Sequence, residues 1–329
     1  MRIPPTYGPP TDRGAPAAGR PAVSLYGVNS GILLVDKPQG MTSHDVVARV
    51  RRLAGTRKVG HAGTLDPMAT GLLVIGVDHA TRLLHHLVGL DKTYEATVRL
   101  GWSTTTDDAE GEAGPEASAE LVGAIDDAAI TVGMAKLTGP IEQVPSAVSA
   151  IKVDGKRAYQ RVRDGEAVEL AARAVTVAAF DLLDVRRDGG AIDLDVRVDC
   201  SSGTYIRALA RDLGTDLGVG GHLTALRRTR IGAFDVADAA ELGDLDVAAA
   251  LLPAAEAARR SMTTIELSEQ DAVDLGHGKR IPAPEGSPRD VPIAAIGRGG
   301  VGGERLVAVV ERRAGQLKVV TGFPREDAS

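Results

Sequence analysis

The chain has 329 residues, of which 43% are hydrophobic and 25% charged, and its net charge is −6. This length and composition are typical of a globular protein of about two domains, and they exclude a chain too polar to bury a core. The single cysteine, Cys200, excludes an internal disulfide and a cysteine-rich zinc site, which favours a cytoplasmic protein and argues against a zinc-dependent base deaminase.

The N-terminal stretch differs in composition from the rest. Residues 1–29 are rich in proline, glycine and alanine and lack the apolar core of a signal peptide. We therefore expect a disordered N-terminal extension there. Further along, no apolar run reaches the roughly 18 residues that a membrane-spanning helix needs, so no membrane partner is expected.

Charge is unevenly distributed along the chain. Residues 49–58 hold five bases and no acid, whereas residues 107–127 hold eight acids and no base. A surface that follows a phosphate backbone needs a local basic patch and not a basic total, so the acidic net charge leaves a nucleic-acid partner possible. The alternative for each cluster is a solvated helix face.

The first hundred residues alternate short apolar runs with helical patterns. Residues 31–36 and 72–77 are continuous apolar runs typical of buried strands. Between them, Thr42 or Ser43 is placed to cap a helix. A second helix is predicted over 80–90. Strict alternation over 93–100 then predicts a strand with Tyr94 on its apolar face, where a core tyrosine is the simplest interpretation.

Residues 57–71 have a composition that no hydrophobic core requires. Glycines flank His61 closely, and Asp66 is followed directly by Pro67. Glycine permits unusual backbone dihedral angles and close approaches. Taken alone, Asp-Pro favours a capping aspartate with proline at the first helical position. A functional Asp66 therefore depends on partners elsewhere in the chain.

The remaining elements follow in order. The acidic residues 107–127 are predicted to form a loop that leads into a surface helix. Residues 140–170 are basic, rich in turns and weakly periodic, which favours an exposed segment that orders on a partner. The later patterns predict a hairpin over 174–185 and 191–198, a helix over 205–217, a basic strand over 223–231, a closing helix over 246–259, and a small β-rich domain over 262–324.

Four motifs occur together in this order: G-I-L-L-V-D-K-P-Q-G-M-T-S, G-H-A-G-T-L-D-P, K-T-Y-E and S-S-G-T-Y-I-R-A-L. The residues in these motifs and their order closely resemble the TruB family of tRNA pseudouridine-55 synthases over residues 30–260. Residues 262–324 resemble the PUA-like domain of actinobacterial members of that family. The resemblance implies an α+β fold with a mixed, mostly antiparallel central sheet of the pseudouridine synthase type and flanking helices. The catalytic domain would span 30–260, with a basic RNA-clamping insertion at about 140–170.

The resemblance also implies an activity, the isomerisation of uridine 55 in the T loop of tRNA to pseudouridine without cofactor or metal. Asp66 matches the catalytic aspartate, and Arg207 matches the arginine that pairs with it. Tyr94 matches the tyrosine that stacks on the target base, and His61 the histidine that fills the space of the flipped base. The expected substrate-binding residues are His61, Tyr94, Tyr205, Arg207, Leu226, Lys37 and Arg82. A cytoplasmic monomer that binds the T arm is expected.

One carboxylate suffices for this chemistry, because water has to be excluded and not activated as in glycoside hydrolysis. The sequence leaves open whether Asp66 attacks C1′ or C6 or removes a ribose proton. It also leaves open two other functions, pseudouridine formation in another RNA, including guided modification, and a non-catalytic module that folds tRNA. A third alternative is that Asp66 only caps a helix and the tyrosines only fill the core. In that case the resemblance of every motif to the family would be a coincidence.

Overall fold

The computed structural model describes residues 30–146, 152–153, 156–157, 170–299 and 303–325. Up to residue 253 the described strands are β1 Gly31–Lys37, β2 Val59–His61, β3 Thr70–Val77, β4 Lys92–Leu100, β5 Gly139–Gln143, β6 Lys152–Val153, β7 Lys156–Arg157, β8 Arg173–Asp188, β9 Ala191–Cys200, β10 Gly221–Ile231, β11 Phe234–Asp235, β12 Ala240–Glu241 and β13 Leu252–Pro253. All of them except the β6–β7 pair join one large sheet.

The large sheet is mixed. Its strands follow the order β12-β1-β3-β10-β4-β9-β8-β5, with β2 beside β3, β11 beside β10 and β13 beside β1. The β1–β12 and β3–β10 pairs are parallel, and the other pairs in the sheet are antiparallel. The predicted mixed, mostly antiparallel α+β architecture is therefore confirmed. Strand β10 lies in the middle and brings residues 227–228 beside residues 70–71.

Helices pack on the sheet through their apolar faces. The described α-helices are α1 Ser43–Ala54, α2 Leu84–Leu87, α3 Ala119–Gly123, α4 Asp127–Lys136, α5 Ile206–Asp216, α6 Val247–Ala250, α7 Ala254–Ser261 and α8 Glu269–Gly276. Helix α1 buries Val46, Val47 and Val50 against β1 and β3, and Thr42 caps it as predicted. Helix α5 buries Leu209 and Leu213 in a core that it shares with β4 and β9.

A second, five-stranded sheet follows, as the β-rich composition predicts. It consists of β14 Thr263–Glu266, β15 Ile281–Pro282, β16 Ile293–Arg298, β17 Glu304–Arg313 and β18 Gln316–Gly322, in the order β14-β16-β17-β18-β15. Apolar residues of this sheet, such as Ile296 and Leu306, share a core with Ile32 of β1 and Leu84 of α2. The domain boundary near residue 260 stays a prediction. Within the described residues, no helix is long and apolar enough to cross a bilayer.

Two predicted helices are shorter in the structure. Over 80–90 a 3-10 turn, Asp78–Arg82, precedes the single turn of α2. Over 246–259 the helix is interrupted at Pro253, which pairs in β13 and divides the segment into α6 and α7. Proline has no N–H to donate and its ring clashes with the preceding turn, so a continuous helix cannot pass through it.

The prediction that residues 140–170 are exposed is wrong at their start. Residues 139–143 form β5 against β8, and Gln143 and Ser146 are buried. The sequence pattern does not reveal this burial. The buried side chains of Gln143 and Ser146 are polar and are satisfied by hydrogen bonds, so they add nothing to an apolar pattern. Most of the predicted clamp, like the predicted extension at 1–29, lies outside the described residues.

Candidate active site

Asp66 lies in the turn that joins β2 to β3. Residues 67–68 form the turn, and Ala69 donates its N–H to the carbonyl of Asp66 at 3.1 Å. No helix follows among the residues around it, since β3 begins at Thr70. Asp66 therefore does not cap a helix, and the capping interpretation of Asp-Pro is wrong.

The second half of the chain's first motif, Lys37 to Ser43, holds this turn from one side. The ammonium of Lys37 donates to the carbonyls of Met41 at 2.7 Å, Pro38 at 3.0 Å and Pro67 at 3.3 Å. The buried Ser43 hydroxyl accepts from the N–H of Leu65 at 2.8 Å and donates to its carbonyl at 3.0 Å. Burial lowers the pKa of Lys37 to about 8. These contacts fix the backbone on both sides of Asp66.

Arg228 holds the turn from beneath. It is 1% exposed, and its guanidinium donates to the carbonyls of Leu72 at 2.8 Å and Gly63 at 3.0 Å. Gly71 has a φ of +100°, and a Cβ there would lie 2.2 Å from the Arg228 carbonyl oxygen. Only glycine permits that approach. Gly71 thus allows the backbone of β3 to approach that of the buried arginine that braces the loop.

Arg207 is the partner of the Asp66 carboxylate. Its Nε lies 3.1 Å from Asp66 Oδ2, and its Nη1 lies 3.2 Å from Asp108 Oδ2. Nη1 also donates to the Thr106 carbonyl at 2.9 Å. The Arg207 side chain is 4% exposed, whereas that of Asp66 is 38% exposed. The carboxylate therefore opens to solvent while the cation that orients it is enclosed.

Several charges act on Asp66. Burial raises the pKa of Asp66 above its ordinary value, and the nearby Asp108 raises it further, whereas Arg207 and Lys37 lower it. Desolvation is the largest of these effects, because removing water penalises the charged form. The arginine that the resemblance implies favours the ionised carboxylate. The structure adds an opposing desolvation that makes the carboxylate more basic.

Tyr94 and Leu226 lie in the same apolar cluster as Leu65 and Met68, the neighbours of Asp66. Both side chains are at least nine-tenths buried. Tyr94 on β4 stands opposite Arg228 on β10. Burial raises the pKa of the Tyr94 hydroxyl, and the Asp66 charge adds to this effect. The tyrosine is therefore a neutral group near the carboxylate.

Two further expected site residues are placed by specific contacts. Tyr205 precedes α5, and the buried Gln143 amide bonds its backbone twice, accepting from its N–H at 2.8 Å and donating to its carbonyl at 3.0 Å. His61 ends β2, and its ring meets that of His44 edge-on with centroids 5.6 Å apart. Burial lowers the pKa of His61, and His44 contributes to this shift. His61 is thus held mainly neutral at the site.

Lys37 and Arg82, which were expected to bind substrate, have other contacts here. The ammonium of Lys37 is buried and its donors are directed at protein carbonyls. Arg82 is exposed and donates to the Gly322 carbonyl of the second sheet at 2.7 Å. In this structure Lys37 positions the Asp66 turn, and Arg82 links the 3-10 turn Asp78–Arg82 to the second sheet.

Sequence reasoning missed four residues that build the site: Ser43, Asp108, Gln143 and Arg228. Asp108 belongs to the acidic segment that is predicted to form a loop, and Arg228 to the basic strand predicted over 223–231, yet they are 2% and 1% exposed. The one sequence feature that points to Arg228 is its position two residues after Leu226 in a predicted strand, which places both side chains on the same face. No comparable signal marks Gln143.

The contacts of Arg228 lead to a prediction about the turn. Arg228→Met should lower the free energy of unfolding by about 3 kcal/mol, because it leaves buried carbonyls without donors. It should also slow catalysis, because the loop that carries Asp66 loses its brace. Denaturant unfolding and a single-turnover rate measure both effects. Arg186→Met, in an exposed ion pair on β8, is the matched control, and equal results for the two variants would contradict the bracing role.

Comparisons with known proteins agree with this geometry. A family model described as TruB family pseudouridylate synthase (N terminal domain) matches residues 51–206, and one described as tRNA pseudouridylate synthase B C-terminal domain matches residues 207–267. The tRNA pseudouridine synthase B of Leifsonia xyli subsp. xyli (strain CTCB07) is 60% identical over 301 residues, covering 91% of this chain and 98% of that protein. The protein of the same name from Thermobifida fusca (strain YX) is 55% identical over 297 residues, covering 89% and 98%.

Solved structures share the fold. A chain described as belonging to a Cbf5-Nop10-Gar1 complex has a TM-score of 0.67 and 25% identity, covering 90% of this chain and 86% of that chain. A chain from an H/ACA RNP bound to a substrate RNA containing 2'-deoxyuridine has a TM-score of 0.66 and 23% identity, with the same coverage. With the motifs, the two family models and relatives this similar over nearly their whole length, the chain belongs to the TruB family of pseudouridylate synthases.

Proposed function

We propose that this protein isomerises uridine 55 in the T loop of tRNA to pseudouridine, with Asp66 as its catalytic carboxylate. The observation that carries the proposal is one half-exposed carboxylate held by a buried arginine beside a buried tyrosine, in a TruB-family chain. The partner is the T arm of tRNA, and the protein acts as a cytoplasmic monomer.

The reaction breaks the N1–C1′ bond, rotates the uracil and joins C5 to C1′, and the proton lost from C5 is balanced by the one that N1 gains. The uridine first has to leave its loop stack, which costs a few kcal/mol. Stacking on an aromatic ring returns about 1–3 kcal/mol per base. Tyr94 provides that ring, and Leu226 in the same cluster provides an apolar surface for the base.

The acid that shares Arg207 with Asp66 is not placed to activate water. A glycoside hydrolase needs a second carboxylate that activates water. Asp108, the acid that shares Arg207 with Asp66, is 2% exposed and is bound by Arg207 and Thr106. It therefore stabilises the arginine and is unavailable to a water molecule in the cleft. The uracil that is released from C1′ stays bound and is recaptured through C5.

The hydroxyl of Tyr94 can be separated from its ring. Tyr94→Phe keeps the stacking surface and removes the proton-carrying oxygen near Asp66. We expect the single-turnover rate to fall at least about tenfold while the Kd for tRNA changes little, because general acid–base steps are typically worth this much or more. Quench-flow assays and filter binding measure the two quantities. A large loss of affinity with an unchanged rate would contradict this role.

The rate should also depend on pH in a defined direction. Asp66 acts in its ionised form, and burial raises its pKa above the ordinary aspartate value. The rate should therefore rise with pH through a single acid limb whose midpoint lies above that of an exposed aspartate. A single-turnover pH profile tests this, with fluorescence binding at each pH as the control. A rate that falls as pH rises through this range would contradict the assignment.

The function itself is tested by incubating the purified protein with an unmodified tRNA transcript and with an isolated T-arm hairpin, and mapping pseudouridine in each. Modification of both at uridine 55 is expected. Activity that required a guide RNA or accessory proteins would favour the guided alternative. Binding and tRNA refolding without pseudouridine would favour the non-catalytic one.

A further inference from the structure

A second arginine–aspartate pair lies directly behind the Arg207–Asp108 pair. Arg211 is four residues after Arg207 on α5, which places both side chains on one face of the helix. Its Nη1 lies 3.2 Å from Asp107 Oδ2. Two consecutive aspartates therefore meet two arginines that are one helical turn apart. The inner pair contacts Asp66 and the outer pair does not.

The backbone at Asp107 makes this arrangement possible. In extended backbone, consecutive side chains point to opposite faces. Asp107 instead has a φ of +59°, in the left-handed region that a non-glycine residue rarely occupies. Its carbonyl accepts from the Leu223 N–H at 3.0 Å. This turn directs the Asp107 and Asp108 carboxylates toward the same helix, and something has to hold it in that conformation.

The contacts of the Asp107 carboxylate hold the left-handed turn in this conformation. Besides Arg211, it accepts from the hydroxyl of Ser146 at 2.7 Å, and Ser146 is fully buried. Arg211 also donates to the Val144 carbonyl at 2.8 Å. These residues follow Gln143, which fixes the backbone of Tyr205. Asp107 therefore ties together the turn, α5 and the end of β5.

We propose that Asp107 and Arg211 are positioning residues for the reaction. By holding the left-handed turn against α5, they keep Asp108 in contact with Arg207 and so keep Arg207 directed at Asp66. This inference rests on the proposed function. Asp107 and Arg211 would thus affect the reaction rate although they contact neither the Asp66 carboxylate nor the expected position of the uracil.

The experiment compares Asp107→Gly, Arg211→Gln and the double variant in single-turnover pseudouridine formation on a tRNA transcript. Glycine adopts positive φ without strain, so Asp107→Gly removes the carboxylate and leaves the turn permitted. Each variant should lose about tenfold in rate with a Kd for tRNA within about threefold of wild type, and the double variant should be no slower than the worse single one, because the residues act as a pair. Arg186→Gln, in the exposed pair with Asp195, is the control and should keep the wild-type rate.

A pH profile separates positioning from a general structural role. The charged groups that face Asp66 are Arg207, Asp108 and Lys37, together with Glu110, whose own pKa is raised by burial, by Asp108 and by Asp66. If Arg207 is no longer held on Asp66, the carboxylate becomes harder to ionise, so the acid limb of the rate should move to higher pH in all three variants. A merely destabilised protein would lose melting temperature without that shift.

The outcomes are distinct. Variants that fold, bind tRNA and react within twofold of wild type would overturn the inference, as would a slower rate with an unmoved acid limb. Should Asp107→Gly fail to fold, Arg211→Gln alone decides, because that side chain is partly exposed at the edge of the network. If the wild-type protein itself forms no pseudouridine, the proposed function fails and not merely this assignment.

Discussion

Asp66→Asn is expected to abolish pseudouridine formation while the variant folds and binds tRNA like the wild type. Asparagine has nearly the same shape, so the β2–β3 turn that Lys37, Ser43 and Arg228 brace should survive. The amide lacks the charge that the reaction uses, whichever route the carboxylate follows. The loss should be on the order of a thousandfold or more in the single-turnover rate.

The matched control for this variant is Asp216→Asn. Asp216 is also a half-exposed aspartate in an ion pair, with Lys136, but it lies at the end of α5 away from the Asp66 turn. It should keep the wild-type rate. The catalytic assignment would be lost if Asp66→Asn retained turnover within tenfold of wild type, or if its only defect were weaker binding of tRNA.

Arg207→Lys should slow the reaction by about a hundredfold with little change in tRNA affinity, since a preorganised charged donor at a reacting group is typically worth that much. The guanidinium contacts Asp66 through Nε and both Asp108 and the Thr106 carbonyl through Nη1. A lysine ammonium is a single point charge and cannot occupy those positions together. The positive charge would remain, so the loss would report geometry.

Single-turnover rates and binding constants for Arg207→Lys, compared with Arg186→Lys on the exposed side of the sheet, test this prediction. Arg186 also bridges two carboxylates, those of Asp184 and Asp195, so the same substitution removes a similar set of contacts away from the site. A rate for Arg207→Lys close to that of the wild type would show that charge alone suffices. The proposal that the guanidinium orients Asp66 through its simultaneous contacts with Asp66 and Asp108 would then be wrong.

Much of the fold follows from patterns that are local in sequence. The apolar runs at 31–36 and 72–77 became β1 and β3, and the alternation at 93–100 became β4 with Tyr94 facing the core. Each of these elements is specified by its own apolar run or alternation. Pro253 shows where such patterns fail. The helical pattern on both sides of it predicts one continuous helix over 246–259, but the proline has no N–H to donate, and the helix is interrupted there.

The candidate site was predictable only in part, because its supports are polar residues buried by tertiary contacts. Asp66 was ambiguous by itself, and its function became apparent only with Tyr94 and Arg207, which are distant in sequence. Asp108 looked like one more member of an acidic surface segment, yet it is buried because Arg207 is there to pair with it. Burial of such groups depends on a partner supplied by the fold.

The most direct test of the account is site-resolved pseudouridine mapping after a single turnover of stoichiometric protein and unmodified tRNA, with the wild type and Asp66→Asn side by side. We predict one pseudouridine, at position 55, with the wild type, none with Asp66→Asn at equal occupancy of the tRNA, and no free uracil with either. Pseudouridine at position 55 from the Asp66→Asn protein, or a wild-type product at another position only, would contradict it.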